Sequence, residues 1–409
     1  MSGRLVVLRS AKQLLTMYGT NGLRRGSALR ELGLIQDGAL LMRDGIIVDA
    51  GPTRRIENLG IARDAEVIDA TGRIVMPVFC DSGVQLLTQA VREEQDTLLS
   101  GEEVELERAG RWERYISTTS PRRLEFRAHQ LLERMARHGT GAVEVVAESA
   151  LSAASTLKAL RVHAALNQES VSVVSTLLVS DLHSSGAESE AALPVLLNDT
   201  LPTVARRRLA SNLALNVGGA EHNPLQSWRA AQVARSIGMG IEVIAAPGNT
   251  GAVQFTADIG ARSFAGFSGL NEYEIRTLAG SPVVATIRQN CPVSRALPRK
   301  LIDNGVALAL GSGFAATHAG TYSMQETIFE ASTTGGFSLG EALTASTINA
   351  AHGIGLGSTC GSLEPGKQAN FLILNAPDYR ELAMRRGINF VHAMVQRGRV
   401  VYREGEIRK

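Results

Sequence analysis

LALNV (213–217), LQSWRAAQVARSI (225–237) and IEVIA (241–245) together decide the fold. Two short apolar runs of strand character flank a helical stretch, which makes one β/α unit. The same alternation fills the middle of the chain. Strands are expected at Pro77–Cys80, Ala142–Val146, Val171–Leu178, Leu213–Val217, Ile241–Ala245, Arg262–Phe264, Val283–Ile287 and Val306–Leu310, with helices such as Leu225–Ile237 and Pro298–Asp303 between them. Eight such units predict an α/β fold, a (β/α)8 TIM barrel, with an open doubly wound sheet as the alternative. The long gap between the first two strands carries Glu93, Glu94, Asp96, Glu102, Glu103, Glu105, Glu107, Arg108 and Arg111, and reads as a solvated helical insertion.

Outward from this core the chain changes character. Short β runs at Leu5–Leu8, Ala39–Met42, Ile46–Ala50, Glu66–Ile68 and Arg73–Val75 are punctuated by Asp37-Gly38, Asp44-Gly45 and Thr71-Gly72. Asp-Gly between apolar runs signals a hairpin, because both turn positions tolerate positive φ. Asn370–Leu374, Ala393–Gln396 and Arg399–Tyr402 repeat the pattern at the other end. Both ends are therefore expected to pair into one small composite β-sandwich: residues 1–75 and 361–409 form it, and 76–360 form the barrel.

The 409 residues are 44% hydrophobic, 20% charged and only 4% aromatic, which excludes a disordered or fibrous chain and a ring-stacking RNA surface. Net charge +2 is too small to imply a nucleic-acid partner, and the Arg206-Arg207-Arg208 cluster reads as a solvated surface. Cys80, Cys291 and Cys360 are widely spaced and form no disulfide framework. With no signal-like or membrane-length apolar run, the expectation is a cytoplasmic protein without a membrane partner.

The C-terminal GSLEPGKQAN (361–370) and the following FLILNAPDYRELAMRRGINFVHAMVQRGRVVY closely resemble the amidohydrolase superfamily, and within it the imidazolonepropionases, which open a small cyclic amide. LTASTINAAHGIGL (343–356) and HGTGAVEV (138–145) fit as well, so the resemblance spans nearly the whole chain. It implies the barrel-plus-sandwich architecture, a homodimer, and a divalent metal at the barrel mouth that lowers the pKa of a bound water to about 7.

The ligand positions that the resemblance implies can be read one by one. The HxH of the first strand falls on Gly83 and Gln85 in PVFCDSGVQ (77–85), and the histidine after the fifth strand falls on Ile244. The histidine after the sixth falls on Gly266, and the aspartate after the eighth at Gly311. A glutamate after strand four falls near Gly218, and a substrate-contacting histidine after strand three near Asp181, with His183 two residues on. No histidine lies within 15 residues of Gly83, Ile244 or Gly266, so a small shift in alignment restores nothing; His318 would be a lone ligand. Apart from Gln85, a weak neutral oxygen donor, these side chains offer no lone pair to a cation. The expectation is no cofactor, no metal ligand, no catalytic residue of the family kind, and a degenerate pocket at Gly83, Gln85, Ile244, Gly266 and Gly311.

Three readings follow. The chain is a non-catalytic member of the fold that binds a small polar metabolite or pairs with an active paralogue. Alternatively it hydrolyses cyclic amide C–N bonds without a metal, through groups such as Asp81, Asp181, His183 or Cys80. Or it is a metallohydrolase with unrecognised ligands. Asp81, Asp181 and His183 are the candidate polar ligand contacts in the first. Glycines in place of bulky ligands leave volume that water, a small molecule or neighbouring side chains must fill. The expected pocket is polar and uncharged.

Overall fold

The computed structural model describes residues 3–19, 22–87, 105–147, 152–166, 170–179, 193–218, 222–246, 249, 251–267, 269–289, 294–315 and 321–405, with side chains of the third segment described from 110 onward. Eight of its strands come from the ends of the chain: β1 (Leu5–Leu15), β2 (Leu34–Arg43), β3 (Ile46–Pro52), β4 (Glu66–Asp69), β5 (Ile74–Pro77) and, far downstream, β14 (Phe371–Leu374), β15 (Val391–Gln396) and β16 (Arg399–Arg403). Their order is β16-β15-β14-β5-β1-β2-β3, with β4 also on β1.

The long β1 changes partner along its length. Val6–Arg9 run parallel to β4, and Gln13–Leu14 run parallel to β5. Between them the backbone bulges at Ser10, which takes φ 58. Val6, Leu8, Leu40 and Met42 from one half share a buried core with Phe371, Ile373, Ala393 and Val395 from the other, so the continuous sheet folds over itself as a sandwich. Asp44-Gly45 makes the β2–β3 hairpin, with φ 52 and 80, and Arg397-Gly398 makes the β15–β16 hairpin, with φ 48 and 70. These two turns abut: a Cβ on Gly398 would lie 3.1 Å from Gly45 Cα. Asp37-Gly38, in contrast, is no hairpin. It lies inside β2, where Asp37 takes φ 45 and Gly38 lets the strand close over Leu14. Only Asp37 takes a positive φ, and Gly38 keeps its place in the ladder opposite Ala11, so the strand runs on.

The other eight strands are parallel and run in sequential order: β6 (Phe79–Val84), β7 (Thr140–Ala147), β8 (Ser172–Val179), β9 (Asn212–Val217), β10 (Gly240–Ala245), β11 (Ser263–Ala265), β12 (Val284–Arg288) and β13 (Leu308–Gly311). The nearly closed barrel is completed by Gln85 N–H donating to Phe314 O at 2.9 Å and Ser312 N–H donating to Asp81 Oδ1 at 2.7 Å. This is the predicted barrel plus composite sandwich, and it excludes the open doubly wound sheet.

Helices wrap the wall. Pro121–Arg137 is typical: Ser120 caps its N-terminus, Pro121 stands where no backbone donor is needed, and Leu124, Ala128, Leu131, Leu132 and Met135 bury one face at helical spacing. The charged insertion of the sequence reading is helical where described, over Glu105–Thr118; its earlier part lies outside the described residues. The helix Ile348–Gly353 closes the N-terminal end of the barrel. There Asn349 Nδ2 donates to Leu308 O (2.8 Å) and Arg24 O (2.9 Å) while its Oδ1 accepts from Arg24 N–H. No described helix is long and apolar enough to cross a membrane.

Candidate functional site at the barrel mouth

Side chains alternate across a strand, so residues two apart on a barrel strand share its interior face. On β12 that face carries Val284, Thr286 and Arg288; on β6 it carries Asp81 and Gly83. The two meet. A Cβ built on Gly83 would fall inside the guanidinium of Arg288, 2.6 Å from Nη2, and Gly83 takes φ +78. Here glycine is doubly required, by conformation and by space. The volume vacated by the family's first ligand is thus filled, and by a cation. The pocket expected to be uncharged is not.

Arg288 heads a polar chain through the barrel interior. Its Nη2 lies 3.9 Å from Glu144 Oε2 on β7. Thr176 on β8 donates to Glu144 at 2.7 Å. Asn212 Nδ2 on β9 donates to Glu242 Oε1 on β10 at 3.0 Å, and Asn212 Oδ1 accepts from Arg262 at 2.8 Å. Arg262 itself threads between Gly240 and Gly355, where any Cβ would collide with it. Burial, with the adjacent carboxyl of Glu144 and the hydrogen bond the two side chains share, pushes the acid of Glu242 well above the ordinary carboxylate range. Three acids, Asp81, Glu144 and Glu242, thus share the interior with two guanidiniums, Arg262 and Arg288. Charges this deep are tolerable only when they are paired.

Asp81 sits beside this chain on β6, fully buried. Its Oδ1 accepts from Ser312 N–H (2.7 Å) and its Oδ2 from Ser312 Oγ (2.6 Å). Burial is the largest influence and raises its acid to about 6; the two Ser312 bonds and Arg288 pull it back down, and Glu144 opposes them. Both oxygens face the protein. Asp81 therefore ties β6 to the end of β13 and presents no free oxygen to a ligand at the mouth.

The remaining expected positions are dispersed among backbone contacts. A Cβ on Gly266 (φ +92) would press on Ala245, at 2.9 Å from its backbone nitrogen, and one on Gly311 would press on Ser82 O at 2.6 Å. Both glycines allow neighbouring strands to approach. Ile244 is half-buried, two residues beyond Glu242 on the interior face of β10. Gln85 donates its backbone N–H to the barrel closure. Asp181, His183 and His318 lie outside the described residues. Cys80 is buried with its Sγ 3.9 Å from Cys360 Sγ, and that contact and its burial push the Cys80 thiol up, away from nucleophilic character. A cavity of about 270 Å³ opens beside Arg288 between the barrel wall and the helices Ala296–Asp303 and Met324–Thr333, lined by Ile287, Gln289, Pro298, Leu310, Thr327 and Glu330.

The structure brings together Gly83, Asp81 and a set that sequence reading missed: Arg288, Glu144, Glu242 and Arg262. A signal existed. Glu144 in AVEVV and Glu242 in IEVIA are lone charges inside runs that must be buried on both sides of a parallel sheet, where a charge needs a partner.

An eight-stranded parallel barrel capped by a sandwich made from both chain ends is the amidohydrolase architecture, and residues 272–401 match the model of the amidohydrolase family. Among solved structures the chain is similar to zinc-complexed atrazine chlorohydrolase of Arthrobacter aurescens (TM-score 0.72, 15% identity, 97% of this chain and 95% of that one). Guanine deaminase of E. coli superposes with TM-score 0.68 at 14% identity, covering 98% and 99%. These likenesses concern the fold alone. In sequence, the chain is 31% identical to the imidazolonepropionase of Symbiobacterium thermophilum over 99% of both chains, and 32% identical to that of Solibacter usitatus over 97% and 98%. The chain belongs to the imidazolonepropionase family of amidohydrolases.

The family's metal does not fit the residues present. Among the described residues no three His, Cys, Asp or Glu side chains converge as a cation site. At the positions implied for ligands stand a guanidinium-filled glycine, an isoleucine and two glycines pressed on backbone.

Proposed function

We propose that this chain is a non-hydrolysing member of its family, which keeps the amidohydrolase scaffold for binding a small polar metabolite or for pairing with an active paralogue. One observation carries the reading: the guanidinium of Arg288 occupies the place where a ligand side chain at position 83 would project. A cation fixed there opposes a second cation by charge and by volume. The cavity of about 270 Å³ beside Arg288 is near the lower end of small-molecule sites and is the space we assign to a metabolite.

Metal-free hydrolysis is the competing reading. Asp81, whose acid is raised to about 6, would be its natural proton carrier. Its two oxygens are both engaged by Ser312 and fully buried, so it reaches no substrate, and the geometry favours the binding role.

The test is turnover of imidazolonepropionate, the substrate that the relatives' name implies, by purified protein with and without added zinc or iron. We expect no rate above the uncatalysed reaction in either case. Turnover that a chelator abolishes would contradict the proposal, and turnover indifferent to chelator would favour the metal-free reading.

A further inference from the structure

The barrel interior contains more acid than an inactive scaffold requires. Asp81, Glu144 and Glu242 are all buried within it, and each projects from a different strand. In a barrel that held a metal, such carboxyls would be balanced in part by the ion. Here the positive charge nearest the mouth is carried by Arg288, and what admits it is the absence of a side chain at residue 83.

We infer that Arg288 is a built-in cation that supplies positive charge to the acids of the barrel interior, with Gly83 as its seat. This rests on the non-hydrolysing reading and deepens it. Three observations converge. The guanidinium fills the volume a residue-83 side chain would take. It approaches Glu144 to 3.9 Å and acts electrostatically on both Asp81 and Glu242. And its side chain is only 13% exposed, so its charge is spent on the interior rather than on solvent. Gly83 and Arg288 form one device: the glycine is the condition for the arginine. A planar guanidinium suits the role better than an ammonium, because its weaker hydration lowers the cost of burial.

The device predicts coupling between two residues far apart in sequence. Gly83→Ala in the natural chain places a methyl group in the guanidinium and also imposes a strained φ. In an Arg288→Ala background only the backbone strain remains, so the second change should cost clearly less than the first. Arg288→Ala alone should lower Tm by on the order of 3–6 °C, since it leaves buried acids without their cation. Millimolar methylguanidinium should restore most of that loss with saturating dependence, while equal concentrations of methylammonium or sodium chloride should restore little.

The experiment is a thermal-melt double-mutant cycle on the full chain (natural, G83A, R288A and G83A/R288A), with each of the three salts titrated into R288A. Additive Tm losses, or an equal response of R288A to all three salts, would overturn the inference. If R288A fails to fold, Arg288→Lys replaces it. The charge is then retained but the fork is lost, and a partial Tm loss with a reduced cost of G83A is expected; a full additive cost overturns the inference. Failure of this cycle in a chain without metal-dependent turnover removes the built-in cation and leaves the non-hydrolysing reading standing. Metal-dependent turnover by the natural chain removes both.

Discussion

Replacing Asp81 by asparagine isolates the electrostatic cost of the buried carboxyl that ties β6 to β13. The amide is isosteric. Its oxygen can still accept Ser312 N–H, and its nitrogen can donate to Ser312 Oγ, so the geometry is preserved and the ionisation is removed. In the native state the acid of Asp81 is raised from its ordinary 3.8 to about 6, chiefly by burial. Between these two values the folded chain holds a proton that the unfolded chain has released. Stability from this group is therefore greatest below pH 4, falls as pH rises to 6, and is level beyond. A shift of about two units at about 1.4 kcal/mol each gives a loss of about 3 kcal/mol across the window. His163 masks this in the natural chain. It is buried against Ser175, and burial lowers its acid to about 3, so its contribution runs the other way, complete above pH 6.5 and falling with acidification. The two slopes roughly cancel between pH 4 and 6. Urea unfolding of the natural chain and of D81N should be compared at half-unit intervals from pH 3.5 to 7.5. D81N should gain relative to the natural chain by about 3 kcal/mol as pH rises through the window, on the order of 1.4 kcal/mol per unit at the steepest. A difference between the two chains that does not change with pH would refute the reasoning, because it would mean that burial does not govern Asp81.

His163→Leu should flatten the acid limb of the natural chain, so that its stability rises on acidification from pH 6 to 4; the same urea series reads this. Glu242→Gln should cost less than about 1 kcal/mol, because burial and the neighbouring Glu144 favour its neutral acid, whereas Glu144→Gln removes the partner 3.9 Å from Arg288 and should cost roughly 3 kcal/mol or more. Denaturant midpoints of the two variants distinguish these outcomes. Cys80 and Cys360 should resist iodoacetamide in the folded chain and react on unfolding, as mass mapping of the alkylated peptides would record.

The strands of the barrel were legible because each is a short β-rich apolar run at the spacing that β/α units impose, and every one of the eight expected strands overlaps an observed one. Asp44-Gly45 was legible as a hairpin for the same local reason. Asp37-Gly38 was not, since the dipeptide permits a turn without compelling one: here only Asp37 takes a positive φ, and Gly38 stays in the strand opposite Ala11. At the site, Gly83, Ile244 and Gly266 stood out against the ligand pattern that the amidohydrolase resemblance implies, so the loss of donors could be read residue by residue. What replaced them could not. That Arg288 enters the seat of Gly83 depends on the first and seventh strands coming to lie on either side of the eighth once the barrel closes, and the order of residues along the chain does not contain that register. The raised acid of Glu242 is equally a property of enclosure: in water it would be one more ordinary acid.

Metal content tests the central claim most directly. The full chain should be expressed in medium supplemented with zinc, iron and manganese, purified without chelator, and analysed by plasma mass spectrometry alongside an active imidazolonepropionase treated identically. The account predicts far less than one transition metal per chain, unchanged in Arg288→Lys, while the active relative carries its metal. A stoichiometric metal in the natural chain, lost when residues around the barrel mouth are changed, would contradict it.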